Sequence, residues 1–281
     1  MKKGVIAIMI SLMTGITALG NKKSAEIIYT NSDLKNLRNY ILAENITDPS
    51  EKGYDINNDS KYNSLDLCMM RKALITQKSD NIEFGTQIKN DFIVDNVLHS
   101  DTQGDIHFSV CIPESYDGSE SYALFVTLPG WEGLYFQGVG ANLVEGFPFE
   151  AQKHNDKMII ISTQLNDWGE TSADMAIELT EYFINNYNID TSKVYLHGMS
   201  GGGETGSIIM GKRPELYTAY LETSSKWEGL TEKEINDILV LDVKPDEYFT
   251  ERGYRDQHAG GNAFSADEEI MGWLFGKVKN S

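Results

Sequence analysis

The sequence has few cysteines and, beyond its first twenty residues, no long apolar run. Its 281 residues include two cysteines, Cys68 and Cys111, which are too few for a disulfide scaffold or a zinc site built from thiolates. Because both lie among apolar residues, we expect two buried free thiols. No later stretch approaches the roughly 18 to 20 apolar residues that a membrane-spanning helix needs. We therefore expect no membrane span in the mature chain.

Basic side chains are also scarce. The chain has 24 lysines and arginines against 42 aspartates and glutamates, a formal net charge of -18. Such a surface repels phosphate backbones and argues against nucleic-acid binding. It is compatible with divalent cations and with uncharged substrates such as polysaccharides. The hydrophobic fraction of 41% is ordinary for a globular protein, and the length allows one large domain or two smaller ones.

Residues 1–23 have the pattern of a signal peptide. A short basic start, Met1-Lys2-Lys3, precedes an apolar stretch over residues 5–19, and small residues follow at Ala18-Leu19-Gly20. We expect export from a bacterial-type cell, with a weakly tethered anchor as the lesser alternative. The mature protein is then extracellular or on the cell surface.

Two regions follow the leader. Residues 33–75 have two helical patterns separated by a loop, the polar stretch 76–81 reads as a linker, and alternating strands and helices follow it. We predict a small all-α module over residues 26–80 and an α/β domain over residues 84–281. The predicted strands are residues 108–112, 122–128, 158–163, 194–197, 217–223 and 238–243. A helix at 173–188, between the third and fourth of these strands, implies a parallel crossover.

The loop of the first region has the spacing of a calcium-binding loop. Oxygen side chains occupy loop positions 1, 3, 5, 9 and 12, and the carbonyl of Lys61 stands at position 7. The predicted ligands are Asp55, Asn57, Asp59, Lys61 and Asp66, with Asn63 at position 9. Position 6, where a sharp turn normally requires glycine, is Ser60, which should lower affinity. The alternative is a polar Asn/Asp turn without metal.

This region resembles a type I dockerin, the module that attaches cellulosomal enzymes to cohesin-bearing scaffolds. The resemblance covers residues 31–75 and is most specific in Asp55-x-Asn57-x-Asp59, Asn63-Ser64-Leu65-Asp66-Leu67 and Arg71-Lys72. It implies a scaffold partner and places four residues on the cohesin-facing helix: Ser64, Leu65, Arg71 and Lys72. The first of the two repeats expected in this family survives only as residues 31–42, and Lys22-Lys23-Ser24 cannot supply carboxylate ligands. We therefore expect one calcium ion.

The second region contains a G-x-S-x-G motif, Gly198-Met199-Ser200-Gly201-Gly202. The motif lies between an apolar strand and a helical stretch. In this context the serine lies on a strained strand-to-helix turn, where bulky neighbours clash. The turn exposes the Ser200 Oγ and directs the Gly201 N–H at a developing oxyanion. The motif predicts an acyl-transfer site, and the alternative is a structural glycine-rich turn.

A base and a second oxyanion donor are needed. His258 follows Ser200 in the chain, which matches the order nucleophile, acid, histidine, and it lies in the polar, glycine-rich stretch 256–261. The second donor should come from the loop after residues 122–128, and we choose the N–H of Trp131.

These motifs resemble secreted esterase-like α/β hydrolases related to prolyl oligopeptidases and to feruloyl or acetyl-xylan esterases. The matching segments are residues 128–131, 167–171, 198–205, 213–217 and 258–275. The resemblance implies ester hydrolysis with Ser200 as nucleophile, His258 as general base, and Trp131 with Gly201 as the oxyanion hole. It implies no cofactor for the chemistry. Trp131, Trp168 and Trp227 are candidates for lining a sugar or aryl pocket, or for simple packing.

The acid of the triad is missing where this family has it. Only 58 positions separate Ser200 from His258, and a parallel crossover takes about a dozen residues or more, so one strand-helix unit has no room. We expect a short helix at 232–237 and direct pairing of strand 238–243 with strand 217–223. The weak substitutes for the acid are Glu222, Asp246 and Asp256.

The sequence thus favours a secreted, dockerin-bearing serine esterase that acts on plant cell-wall polysaccharide esters. The predicted fold class is an α/β-hydrolase-like parallel sheet, one strand-helix unit short, preceded by an all-α calcium-binding module. The alternative is a catalytically impaired module that binds only scaffold or carbohydrate.

Overall fold

The computed structural model describes residues 31–42, 53–57, 59–77, 81–143, 146–225, 233–235, 237–251 and 261–280. The chain divides into two compact units, residues 1–70 and 71–281. The predicted signal peptide lies outside the described residues. So do Trp227, Asp256 and His258.

The first unit contains helix α1 (Asn31–Ile41) and the start of helix α2 (Ser64–Gln77). Leu37, Tyr54 and Met70 are buried, and the Tyr54 hydroxyl donates a 2.7 Å hydrogen bond to Asp33 Oδ1. Asp33, in the segment predicted to remain from a first repeat, thus bonds the residue that precedes the predicted calcium loop.

One cysteine is placed differently from the prediction. Both thiols are free, and Cys111 is buried, but Cys68 is exposed. Asp66 and Met70 are the buried residues on this part of α2. Cys68 is two positions from each, which places it on the opposite face of the helix.

The second unit is built on a large mixed sheet with helices on both faces. Its strands are β1 (Ile82–Glu83), β2 (Gln87–Lys89), β3 (Phe92–Ser100), β4 (Gly104–Cys111), β5 (Tyr122–Leu128), β6 (Met158–Thr163), β7 (Ile189–Met199), β8 (Ala219–Thr223), β9 (Lys233–Ile235) and β10 (Ile238–Val243). Its helices are α3 (Phe147–His154), α4 (Glu170–Asn186), α5 (Gly201–Lys212), α6 (Pro245–Glu251), α7 (Gly261–Ser265) and α8 (Glu268–Phe275). All six predicted strands are present.

The order across the sheet is β1-β3-β4-β6-β5-β7-β8-β10-β9, with β2 paired to β3. The central pairs β6/β5, β5/β7, β7/β8 and β8/β10 are parallel, and the outer pairs are antiparallel. The fully buried strands β5 and β6 are continuous apolar runs, as expected for strands covered on both faces.

Two apolar layers cover the sheet. Helix α4 contributes Ala176, Leu179 and Phe183 to one layer, against Leu124 and Val126 of β5. The other layer packs side chains of α3 and α8 against the alternate residues of β5. This alternation follows from the period of two in a strand, which sends successive side chains to opposite faces.

The predicted crossover is confirmed, with one strand between its two ends. Strand β6 leads through α4 to β7, but β5 lies between β6 and β7 in the sheet. The chain therefore reverses its direction of travel across the sheet between β5 and β7. Ligands of open α/β sheets bind at such a switch point, outside the carboxyl ends of the strands.

Beyond β7, strands β8 and β10 are direct neighbours in the sheet, as the short connection between Ser200 and His258 predicts. Strand β10 pairs directly and in parallel with β8, with Leu241 opposite Leu221, which confirms the predicted pairing. The predicted helix at 232–237 is wrong, because residues 233–235 form β9, antiparallel to β10. Pairing gives the free edge of β10 a partner for its backbone groups, and a one-turn helix would leave that edge open.

None of the helices in the described part of the chain is long and apolar enough to cross a membrane.

Candidate active site

Ser200 lies on a strained turn between β7 and α5. Its backbone has φ +54° and ψ −119°, a conformation that costs a non-glycine residue roughly 1–3 kcal/mol. The Ser200 N–H donates to the Thr223 carbonyl at 2.9 Å, which fastens the turn to the end of β8. Backbone strain of this kind concentrates at functional sites, and a serine held at such a strand-to-helix turn has the geometry of a nucleophile elbow.

The two glycines of the motif are required by close backbone approach. A Cβ on Gly198 would lie 2.4 Å from the Gly202 carbonyl oxygen, and a Cβ on Gly202 would lie 2.4 Å from the Leu128 carbonyl oxygen. Both distances are shorter than any real contact of a Cβ, so the end of β5 and the start of α5 touch through backbone alone. The loop after β5 is thereby held beside Ser200.

The two predicted oxyanion donors both begin helical turns. Gly201 is the first residue of α5, and Trp131 is the first residue of the 3₁₀ helix Trp131–Gly133. The N–H groups of a first turn have no acceptor within their own helix, and the helix dipole favours negative charge there. Since β5 and β7 are neighbours, with Leu128 opposite Gly198, both donors lie at the switch point.

Aromatic side chains surround this point. Trp168 covers Gly201 so closely that a Cβ there would lie 2.1 Å from its Cε2 atom. The Trp131 ring lies 5.9 Å from the Trp168 ring and 5.0 Å from the Phe136 ring, at interplanar angles of 57° and 69°. Trp131 and Phe136 are 56% and 61% exposed. We call Trp131, Phe136 and Trp168 the aromatic rim.

His197 of β7 is a buried structural residue. It is 1% exposed, stacks on Phe147 at 3.6 Å, and is hydrogen-bonded to Thr127 Oγ1 (2.9 Å) and Thr223 Oγ1 (3.0 Å). Burial lowers the pKa of His197 to about 3, so the ring is neutral at physiological pH. It links β5, β7 and β8 beneath the turn that carries Ser200.

Two carboxylates are buried on the other side of the nucleophile strand. Glu222 of β8 is opposite Asp242 of β10 in the register, and both point to the face covered by α5. Ser207 Oγ donates to Glu222 Oε2 at 3.4 Å, and Lys244 Nζ lies 2.7 Å from Asp242 Oδ2. Burial, opposed by a hydrogen bond from Ser225, raises the pKa of Glu222 to about 7, and burial also raises the pKa of Asp242.

These positions decide what Glu222 can do. Its side chain lies beneath α5, where a Cβ on Gly203 would be 3.1 Å from Glu222 Cγ, and it is 0% exposed. Because Glu222 accepts a hydrogen bond from Ser207 of α5 and its pKa is raised to about 7, it is a poor candidate for the acid of a triad. Asp246 belongs to α6, while Asp256 and the predicted base His258 lie outside the described residues.

Sequence reasoning missed a histidine–aspartate pair beneath the loop after β5. His107 Nδ1 lies 3.2 Å from Asp95 Oδ1, and its ring packs on Tyr135 with centroids 4.3 Å apart. Asp95 has φ +60° and lies at the irregularity between Ile93 and Asn96 in the β3/β4 pairing. Only the alternation of apolar residues along β3 hinted at this strand, and a β-bulge interrupts that signal.

The predicted calcium loop closes on itself through its own oxygens. Asp55 accepts hydrogen bonds from the N–H groups of Asp59 (3.0 Å) and Ser60 (2.7 Å), and Asp66 accepts one from Ile56 (2.9 Å). Asp66 is 0% exposed, although it is a carboxylate at the start of a helix. Ser60 has φ +64°, so position 6 makes the sharp left-handed turn that normally requires glycine.

The donor set of this loop is all oxygen and fits Ca²⁺ in chemistry and in register. Within the described residues, no three histidine, cysteine, aspartate or glutamate side chains meet closely enough to hold a metal by themselves. Amide and carbonyl oxygens from Asn57, Asn63 and Lys61 would have to complete the shell. On the predicted cohesin-facing helix, Ser64 and Leu65 are exposed, Leu65 to 53%, and the side chains of Arg71 and Lys72 lie outside the described residues.

Comparison with solved structures identifies the class of the second unit as the α/β-hydrolase fold. A thermostable esterase aligns with a TM-score of 0.51 and 16% identity, over 67% of this chain and 64% of its own. Oligopeptidase B from Leishmania major aligns with a TM-score of 0.36 and 16% identity over 48% of this chain and 20% of its own. A ferulic acid esterase aligns with a TM-score of 0.38 and 16% identity over 48% and 60%. The chain spans less than two thirds of each of these proteins.

Family models match both parts of the chain. Residues 163–265 match the prolyl oligopeptidase family, and residues 30–75 match the dockerin type I domain. Both resemblances drawn from the motifs are thereby confirmed: the chain joins a dockerin module to an α/β-hydrolase-like domain. No curated protein matches the sequence.

Proposed function

We propose that the protein is a secreted serine carboxylic-ester hydrolase that acts on plant cell-wall polysaccharide esters and is attached to a cohesin-bearing scaffold. The observation that carries the proposal is the Ser200 turn, with its positive φ, its tie to Thr223 and the first N–H of α5 beside it. The dockerin match supports the scaffold, and through it an extracellular location after removal of the leader 1–23. In this proposal, residues 26–80 form the scaffold-binding module and residues 84–281 form the catalytic domain.

The proposed chemistry is acyl transfer through Ser200. The Oγ attacks the ester carbonyl carbon while its proton passes to His258, and the carbonyl oxygen becomes an oxyanion facing the N–H groups of Gly201 and Trp131. Collapse of this intermediate breaks the carbon–oxygen bond to the alcohol, which leaves with the proton from His258. Water then attacks the acyl-enzyme by the same route, releases the acid and restores Ser200.

Covalent labelling tests the nucleophile without requiring fast turnover. A fluorophosphonate should add once per chain, and peptide mapping should place the label on Ser200. Ser200→Ala should remove labelling completely, whereas Ser119→Ala, a control at an exposed serine that hydrogen-bonds Asp117, should not change it. Labelling that survives in Ser200→Ala would refute the assignment.

A second candidate, an impaired hydrolase-like module that only binds, is favoured by one observation. Strand β8 pairs directly with β10, and the two carboxylates thus brought together, Glu222 and Asp242, are buried beneath α5. Loss of the triad acid typically costs about 10⁴ in turnover, because the histidine loses the partner that fixes its tautomer. We therefore expect a reactive serine with slow hydrolysis.

For the dockerin module we propose one structural Ca²⁺, held by Asp55, Asn57, Asp59, Asp66 and the carbonyl of Lys61. Type I dockerins bind calcium in general, and binding should be coupled to ordering of α2, as for other loops that lack a preformed site. Calorimetry should give a stoichiometry near one, and Asp59→Ala should abolish binding. Ser60→Gly should raise the affinity, because glycine adopts the positive φ of position 6 without the steric cost of about 1 kcal/mol that a side chain incurs there.

Two bound ions, or none at millimolar calcium, would contradict the single-site proposal. Docking is tested separately: a cohesin should capture the calcium-loaded chain, and Leu65→Asp should weaken capture because Leu65 is the exposed apolar residue of the proposed contact helix.

A further inference from the structure

Exposed apolar side chains are concentrated next to the candidate nucleophile. Among the described residues, eight large hydrophobic side chains are exposed, and four of them fall within nine positions: Trp131, Tyr135, Phe136 and Val139. A contiguous apolar patch that is rimmed by polar residues marks a binding site more often than chance. This segment directly follows β5, whose end touches the start of α5.

The segment is held rigidly in this exposed position. The Tyr135 N–H donates to the Leu165 carbonyl at 2.8 Å, and Gln164 Nε2 donates to the Gly138 carbonyl at 2.6 Å. From below, the His107 ring packs on Tyr135. These contacts fix the backbone of the segment and the Tyr135 ring, so a ligand should lose little entropy through ordering of this backbone when it binds.

The rings form a corner instead of a flat surface. Trp131 meets Trp168 at 57° and Phe136 at 69°, and Trp168 lies over Gly201, beside Ser200. A six-membered ring resting on one wall of this corner would meet the second wall with its edge. It would then lie next to the ester bond that Ser200 attacks.

The charge and hydrogen-bonding capacity of the residues around the rim limit the chemical class of its ligand. Glu132 and Asp167, which adjoin the two tryptophans of the rim, are exposed carboxylates, and the chain carries a net charge of -18. Lys89 Nζ donates to the Gly140 carbonyl, at the far end of the segment. Carboxylates accept hydrogen bonds from hydroxyl groups and repel anions. A sugar ring supplies an apolar C–H face for the aromatic walls and O–H donors for the carboxylates, whereas an aryl ring supplies no donors and a uronate is repelled.

We propose that the aromatic rim is a subsite for one uncharged sugar ring of the substrate, placed beside the scissile ester. This inference rests on the proposed esterase function and narrows it: the subsite selects neutral sugar esters over uronate esters and over aryl groups that lack hydroxyls. Trp131 then has two roles, since its side chain binds the sugar and its backbone N–H faces the oxyanion.

Binding to a non-hydrolysing chain tests the subsite apart from catalysis. The full-length Ser200→Ala variant is titrated with xylohexaose, with tryptophan fluorescence as the readout. We expect saturable binding that Trp131→Ala and Phe136→Ala each weaken by about 3- to 10-fold, the usual contribution of one aromatic contact. Both substitutions keep the backbone N–H, and Phe136 is exposed enough that its truncation should leave the fold intact. Ile88→Ala, a control at a 71% exposed residue outside the rim, should change nothing.

Two further ligands decide the chemical class. Hexagalacturonate and toluene, an aryl ring without a hydroxyl group, should both bind more weakly than xylohexaose, and Glu132→Gln should reduce the discrimination against hexagalacturonate. Absence of xylohexaose binding, affinity unchanged in both rim variants, or tighter binding of toluene than of xylohexaose would each overturn the proposal. Since none of these readouts needs hydrolysis, failure of Ser200 labelling alone would refute the esterase and leave the sugar subsite standing.

Discussion

The two flanks of the nucleophile strand are built differently. Toward β5, the side chains are mostly apolar, and Thr127 of β5 bonds one ring nitrogen of His197 while Thr223 of β8 bonds the other. Toward β8 and β10, the register brings the carboxylates of Glu222 and Asp242 side by side beneath α5. Buried carboxylates are costly unless paired, and the pKa values of both are raised.

The difference shows which part of a catalytic site is local and which is not. The Ser200 turn depends on three short stretches: the end of β5, the G-x-S-x-G motif and the end of β8. All of these survive, and the turn has its strained geometry. In the resembling family the acid of the triad depends on a separate strand and its loop, for which we expect no room between Ser200 and His258. Among the described residues β8 pairs directly with β10, so the expected deletion affects the second flank and spares the first.

The largest effect on stability should come from His197. Its pKa is about 3 in the folded protein and about 6.5 when unfolded, so the folded state favours the neutral ring. The stabilisation is full above pH 6.5 and is lost as the pH falls toward 3, by up to about 1.4 kcal/mol per pH unit. Across pH 7 to 3, the free energy of unfolding should fall by about 4 kcal/mol through this group.

Urea denaturation of the wild type and of His197→Phe across this range measures the effect. The phenylalanine variant lacks the titrating group, so its deficit relative to the wild type should shrink as the pH falls. His99→Phe applies the same change at a histidine with a 51% exposed side chain and should lower the free energy of unfolding at pH 7 less than His197→Phe does. A parallel curve for His197→Phe would show that the ring is not buried in the neutral form.

Glu222 should have the opposite and smaller pH dependence. Its pKa rises from 4.5 to about 7 on folding, so the folded state favours the protonated carboxyl. Its contribution is full below pH 4.5 and is lost as the pH rises through 7, about 3 kcal/mol in total. Glu222→Gln replaces it with a neutral isostere and should therefore raise the free energy of unfolding at pH 8 and change it little at pH 4.

Asp242→Asn is the matched variant for this flank. Lys244 lies 2.7 Å from Asp242 and offsets much of the cost of its charge, so the gain at pH 8 should be smaller than for Glu222→Gln. Equal gains for the two variants would contradict the offset by Lys244, and a loss for Glu222→Gln at pH 8 would contradict the contrast between the flanks.

Much of this architecture could be predicted from the sequence, because it depends on local patterns. Continuous apolar runs predict β5 and β6, and the glycines around Ser200 predict the turn. The predictions fail where contacts between residues far apart in the sequence determine the structure. Residues 233–235 have no strong strand pattern and form β9 because the edge of β10 is there to pair with. Cys68 is exposed because of the direction in which α2 faces, and the pairing of His107 with Asp95 depends on a bulge that no periodicity indicates.

The most direct test of the proposal that Ser200 is a nucleophile without a triad acid is the steady-state kcat/KM for p-nitrophenyl acetate in the wild type and in Ser200→Ala. Efficient enzymes lie at roughly 10⁴–10⁸ M⁻¹ s⁻¹, and loss of the acid costs about 10⁴. We predict a wild-type value near 10² M⁻¹ s⁻¹ that disappears in Ser200→Ala. A wild-type kcat/KM within the efficient range, or equal values for the wild type and Ser200→Ala, would contradict the account.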